Sequence, residues 1–166
     1  MLVDKLQVNK NSLYSEFGSK QALFDACLEH YNNTNMAKNF GPLELPETSV
    51  QQIRELFEFF AGAASGPAAG RGCLFCNTAV EFGPDDPTGH RFVQRYFNRI
   101  FSAFLNALNN AKRSGLILQG IDTREEAQSF TASVLGMFVM IRANAKPDLV
   151  EGAATAVIRR LESICL

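Results

Sequence analysis

The sequence predicts an all-α protein, and three observations carry that prediction. Apolar residues recur at spacings of three and four almost throughout, the alternation of a half-buried strand is absent, and helix starts and stops are marked by capping residues, prolines and glycines. At 166 residues, 46% of them apolar, the chain has the size of one domain, or of a small module joined to one, with enough apolar mass for a packed core. Charged residues at 20% exclude a disordered tail protein, and 12 Gly with 6 Pro are too few for a collagen-like or low-complexity chain. No apolar run approaches the roughly 18 to 20 residues that span a bilayer. Asp4 and its polar neighbours stand where a signal peptide needs an apolar centre. The expectation is a cytoplasmic protein with no membrane partner.

From the N-terminus, Leu2 to Leu6 has the pattern of a helix tail and Gln7-Val8 that of a tight turn. Asn9 caps a short helix ending near Phe17, and Gly18 supplies a left-handed stop. Leu2, Leu6, Leu13, Tyr14 and Phe17 form a small core there. Ser19 caps a helix carrying Ala22, Leu23, Ala26, Cys27 and Tyr31 and extending towards Phe40, and Gly41 to Pro46 reads as a connector. Thr48 with Gln51 starts a helix bearing Val50, Ile53, Leu56, Phe57 and Phe60, followed by a small-residue loop from Gly62 to Gly72. Cys73 to Phe82 is a short apolar helix closed by Gly83-Pro84. Asp86-Pro87 opens the clearest helix, whose apolar positions run from Phe92 to Leu108 and whose end at Ser114-Gly115 follows Lys112 and Arg113, cations suited to a helix C-terminus. Asp122 with Glu125 opens a helix to about Ala143, and Pro147 begins the last one, to about Ile164.

Two short helices at a tight turn, the second opening with Asn-Lys-Asn-Ser, have the layout of a helix-turn-helix reader. The division that follows is a partial helix-turn-helix at 1–19 and a helical domain at 20–166. Net charge is −1, so any contact with nucleic acid must use a local patch rather than a global field. Residues 1–40 sum to zero, 41–90 to −5 and 91–166 to +4.

Cys73-Leu-Phe-Cys76 is a C-x-x-C without a second pair or a His at ligand spacing; His30 and His90 are isolated, and no metal or cofactor is expected. Cys73 and Cys76 lie one helical turn apart among apolar neighbours with no adjacent cation, which favours buried reduced thiols over a redox sensor. No Ser-His-Asp order, paired carboxylates or glycine-rich phosphate loop appears, so no enzyme is expected.

The run Val8-Asn9-Lys10-Asn11-Ser12-Leu13-Tyr14-Ser15-Glu16-Phe17-Gly18-Ser19-Lys20-Gln21-Ala22-Leu23-Phe24 strongly resembles the signature of the tetracycline-repressor (TetR/AcrR) family. Gly72 to Glu81, followed by Asp85-Asp86-Pro87, resembles the ligand-domain helix of one branch of that family. The resemblance implies a ligand-responsive DNA-binding regulator, most often a repressor, that meets a palindromic operator as a homodimer. It implies that Asn9, Lys10, Asn11 and Ser12 enter the major groove, where such side chains read base edges, and that Tyr14 and Lys20 contact phosphates; Tyr14 is equally suited to the reader's core. Family members carry a complete first helix and a longer second helix before this motif. Roughly 25 to 35 residues of the reader are then expected outside a chain starting at Met1, with weak DNA binding by the 166 residues alone. The alternative is a DNA-binding-defective ligand-binding or interaction dimer derived from the family.

Fourteen Phe without a Trp is a heavy aromatic loading. Phe57, Phe60, Phe75, Phe82, Phe92, Tyr96, Phe97 and Phe101 come from three helices that in the family surround the ligand pocket, which fits a small apolar or aromatic effector. Asn77, Arg95 and His90 are candidate polar anchors, and the favoured reading of each is a capped, solvated or otherwise satisfied residue. The penultimate helix is apolar on more than one side, and Gly136 in its middle costs about 1 kcal/mol unless another helix approaches closely. Phe130, Val134, Gly136, Met137 and Ile141, with Ala153, Val157 and Leu161 of the last helix, are therefore expected at a two-fold dimer interface. The competing reading is a domain core that covers both faces internally.

Overall fold

A computed structural model describes residues 5, 7–83, 85–87 and 89–166, so Leu2 and Leu6 lie outside the described residues. Gln7 turns the chain at φ 52°. Asn9 Oδ1 then accepts the Asn11 N–H at 2.9 Å and opens α1, Lys10–Phe17. Gly18, at φ 76°, ends it by donating its N–H to Tyr14 O at 2.8 Å. Ser19 Oγ accepts the Ala22 N–H at 3.0 Å and starts α2, Lys20–Tyr31. The backbone stays helical through a π-helical turn, Asn32–Met36, and into α3, Ala37–Glu44. Lys20–Glu44 is one uninterrupted rod.

The helix therefore runs through most of the expected connector at Gly41 to Pro46. Pro42 sits inside its last turn, and three interactions outweigh the missing N–H. Phe40 and Leu43 are fully buried. Asn106 Nδ2 donates to Leu43 O and Leu45 O at 2.9 and 3.0 Å, closing the free carbonyls, and Arg99 holds Glu44. The next helix, α4 (Val50–Ala63), is capped by Ser49 rather than Thr48; the Ser49 N–H donates to Gln52 Oε1 at 2.9 Å. Turns from Ala64 to Cys73 lead to α5, Leu74–Glu81.

A π-helical turn, Gly89–Val93, precedes α6, Gln94–Arg113, so the regular helix begins later than Asp86-Pro87 suggested. Asp122 Oδ1 caps α7, Thr123–Arg142, accepting the N–H groups of Arg124 and Glu125 at 2.9 and 3.2 Å. Pro147 is the first residue of α8, Pro147–Ile164. There are eight α-helices and no strand among the described residues; one isolated antiparallel bridge joins Ile117 to Cys165.

α4 lies along α8, and α6 packs between α3 and α7. Phenylalanines fill the space these helices enclose. Phe57 of α4 stacks on Phe104 of α6 at 5.8 Å, and both meet Phe130 of α7 edge-on at 6.0 and 5.9 Å. Phe40 joins Phe104 at 6.2 Å, and Phe60 meets Phe138 at 4.8 Å. Such ring pairs add stability beyond the area they bury. The heavy Phe loading is first of all a packing solution. Replacing Phe57 by Ala should lower stability by roughly 3–5 kcal/mol in denaturant unfolding, against less than about 1 kcal/mol for Phe59→Ala, because Phe57 is fully buried and its neighbour is 55% exposed.

Candidate functional site

The exposed surface of α1 and the start of α2 is laid out by the two caps. Asn9, Lys10, Asn11, Ser12, Tyr14 and Lys20 are all exposed, and no residue of α1 is buried. Asn9 uses Oδ1 to cap α1, while Lys10 Nζ lies 5.7 Å from the centre of the Tyr14 ring one turn on. Tyr14 is 46% exposed, which places it on the surface rather than in the reader's core. Lys20 stands on the first turn of α2, at the positive end of the helix. α1 packs on α2, so the orientation of this surface is set by the Lys20–Glu44 rod.

A ladder of ion pairs fixes the rod. Arg91, Arg95 and Arg99 recur every four residues along the π-helical turn and α6, and Asp25 and Glu29 recur every four along α2. Arg91 Nη2 meets Asp25 Oδ2 at 2.9 Å, Arg95 pairs with Glu29, and Arg99 grips Glu44 through Nε and Nη2. Arg99 Nη1 also donates to the carbonyl and side-chain oxygens of Asn32, at 3.0 and 2.9 Å. The π turn itself is braced by Thr34 Oγ1, which donates to His30 O at 2.7 Å. Arg95 is thereby a surface ion-pair partner, not a pocket anchor, and the side chain of His90 lies outside the described residues.

An open cleft of about 560 Å³ lies against the rod. Asn35, Lys38 and Asn39, at helical spacing on the π turn and α3, form one wall. Phe59, Phe60 and Ala63 of α4, with Phe138 and Ile141 of α7, form the apolar side. The loop Pro67 to Gly72 closes the end. Gly72, at φ 64°, is obligatory there: a Cβ would lie 2.8 Å from Phe138 O and from Arg142 Cβ. Gly70 donates its N–H to Ile141 O at 3.0 Å, and Arg142 Nη1 donates to Gly70 O at 2.9 Å, so the loop is tied to the end of α7.

Of the residues expected to line a ligand pocket, Phe60 and Asn77 reach this cleft. Asn77 Nδ2 donates to Arg71 O at 3.0 Å. Phe57 is core; Phe75 is buried and stacks on Tyr96 at 4.7 Å. Phe92 is buried under the Arg91 and Arg95 guanidiniums, and Phe82 leans on Phe24 at 5.5 Å. Phe97 and Phe101 line a separate open groove of about 400 Å³ between α6 and α7. Sequence reading missed Lys38, Phe59 and Arg71. The i, i+3, i+4 polar face at Asn35, Lys38 and Asn39, and a Phe59 off the apolar period of α4, were the available signals.

Below the cleft, Cys73 and Cys76 are buried as expected, and the Tyr96 hydroxyl bridges them, 3.2 and 3.6 Å from their Sγ atoms. Burial alone would raise the Cys73 thiol, but hydrogen bonds from Cys76, Tyr96, the Cys76 backbone N–H and Tyr31 outweigh it and lower it to about 6. Its hydrogen bond to Cys73 and its burial push Cys76 up, and burial beside the two sulfurs does the same for Tyr31 and Tyr96.

The expected dimer residues divide differently. Phe130, Val134, Met137, Ile141, Val157 and Leu161 are buried within the one chain, where α7 and α8 pack on α6 and α4; they belong to its own core. Gly136 is exposed and Ala153 half-buried, and among the described residues nothing lies within 4 Å of where a Cβ at Gly136 would be. The outward stripe of these helices is instead Ala132, Gly136 and Val139 on α7 with Leu149, Gly152 and Ala156 on α8.

Residues 49–157 match the tetracyclin repressor-like, C-terminal domain model, and the chain belongs to that family. The uncharacterized HTH-type transcriptional regulator YezE of Bacillus subtilis (strain 168) is 31% identical over 122 residues, covering 74% of this chain and 62% of that relative. This match thus spans less than two thirds of the relative's length. The fold is shared with a cysteine mutant of the TetR-family regulator CifR in complex with operator DNA (TM-score 0.81, 19% identity, 95% of this chain and 83% of that one). It is shared as well with a TetR-family regulator from Cytophaga hutchinsonii (0.80, 14%, 99% and 82%) and with the reduced form of E. coli NemR (0.77, 17%, 99% and 84%).

One pH dependence follows from the thiol pair. The ultraviolet absorbance difference between the parent and Cys73→Ser should show a single thiolate step near pH 6. Because that value is depressed from the ordinary 9.0, the stabilisation is complete only above pH 9 and is lost progressively as the pH falls from 9 through 6; Cys76, shifted upward, opposes this at alkaline pH. A difference spectrum that stays flat until the ordinary thiol range would contradict the assignment.

Proposed function

We propose that this chain is the regulatory part of a ligand-responsive, DNA-binding transcriptional repressor that works as a homodimer. The observation that carries the reading is the continuity of the Lys20–Glu44 rod, which bears α1 at one end and forms a wall of the cleft at the other. Asn9, Lys10, Asn11 and Ser12 would meet base edges, and Tyr14 and Lys20 phosphates, as in the recognition helix of a helix-turn-helix. A ligand in the cleft touches the rod, α4 and α7 together. It would favour one setting of the rod over another and so shift the spacing of two readers away from successive major grooves. The operator complex of CifR, which shares this fold, supports the DNA partner.

The dimer would form through the outward stripe of α7 and α8, where Val139 is 53% and Leu149 57% exposed and small residues between them let helices approach closely. Two measurements test these assignments. In binding titrations with the polypeptide from the whole reading frame, Asn9→Ala and Lys10→Ala should lose roughly 1–3 kcal/mol of preference for operator over random DNA. Lys20→Ala should weaken both alike and lower the salt slope by about one. Equal losses on both DNAs for all three variants would contradict the roles. In sedimentation, Val139→Glu should release a folded monomer, whereas a parent chain that is already monomeric at micromolar concentration would remove the dimer.

A further inference from the structure

We infer that the cleft takes an anionic amphipathic ligand, a flat apolar body bearing one carboxylate or sulfonate. The inference rests on the regulator reading for what the ligand does, but not for the binding itself. The cavity's 560 Å³ is within the usual range for small-molecule sites, and its inner surface is Phe59, Phe60 and Phe138 with aliphatic neighbours. That surface selects an apolar body. Its charge is set by Lys38 on the rod and Arg71 on the loop, the two ionised side chains lining the cleft, and no carboxylate lines it.

Neither cation is engaged: among the described residues, Lys38 and Arg71 make no ion pair or side-chain hydrogen bond, whereas Arg91, Arg95 and Arg99 nearby are all paired. Two unpaired cations at the rim of an apolar cavity create a positive potential that an anionic group satisfies with charge-assisted hydrogen bonds. The smaller cavity between α5 and α7 differs in kind, since Glu81 and Arg142 both line it. Lys38 and Arg71 come from opposite sides, so an anion between them would draw the loop, and with it the end of α7, towards the rod.

The test uses two fluorescent probes, anilinonaphthalene sulfonate and phenylnaphthylamine, which share a flat aromatic body and differ by the anion. The chain has no Trp to interfere. The sulfonate should bind at one site per chain, roughly tenfold or more tightly than the neutral probe. Lys38→Gln combined with Arg71→Gln should remove that advantage and leave the neutral probe's affinity unchanged. Phe59→Ala should weaken both probes. All three positions are exposed, so the variants should melt with the parent. Equal affinity of the two probes for the parent, or unchanged sulfonate affinity in the double variant, would overturn the inference. Binding is read without DNA, so a bound sulfonate that leaves the operator complex unaltered would count against the regulator reading alone.

Discussion

Arg99 holds together the two parts of the molecule that any coupling requires. A π turn widens the rod at Asn32–Met36, and the Asn32 carbonyl, which already accepts the Ala37 N–H, also takes Arg99 Nη1 at 3.0 Å. The same guanidinium closes on both oxygens of Glu44 at the end of α3. With a side chain only 22% exposed it is the least solvated arginine of the ladder, so its contacts are the least screened by water. Arg91 and Arg95 extend the grip along α2 towards the reader, in more exposed pairs that are each worth little. The rod is thus anchored firmly near the cleft and loosely near α1. That gradient suits the coupling proposed above, in which a ligand at the cleft resets α1 while the anchor holds.

The aromatic core explains why the cleft lies beside the rod and not in the centre. Phe40, Phe57, Phe104 and Phe130 pack the space between α3, α4, α6 and α7 at contact distance. The cleft opens where the helices diverge around the 64–73 turns. Gly72 brings that loop against the backbone of α7, and Arg142 pins it through Gly70 O. One end of the cleft is therefore tied to α7, whose outer stripe is the proposed dimer surface, and one wall is the Lys20–Glu44 rod.

Much of this was legible in the sequence because it depends on local chemistry. Asn9, Ser19, Asp122 and Pro147 open helices where their side chains predict, and Gly18 ends one, since a cap needs only its nearest neighbours. Phe60 and Asn77, expected at a pocket, line the cleft, and the two C-x-x-C thiols are interior. The misreadings share a cause. Gly41 and Pro42 read as a break, yet Asn106 and Arg99, more than fifty residues away, complete the helix end. Periodicity identifies an apolar face without saying which partner covers it, so Phe130, Val134 and Met137 passed for interface while they pack on their own chain. The charge on the cleft depended on knowing which cations find acids, and pairings between distant helices decide that.

Native-state hydrogen exchange on the parent and on Arg99→Ala tests the anchoring of the rod most directly. Loss of the anchor should lower protection together across α2, the π turn and α3, from Lys20 to Glu44, while the amides of α4 and α8 keep the value set by global unfolding. A change confined to Asn32–Met36, or none at all, would show that α2 is held without Arg99 and that cleft and reader are not joined through it.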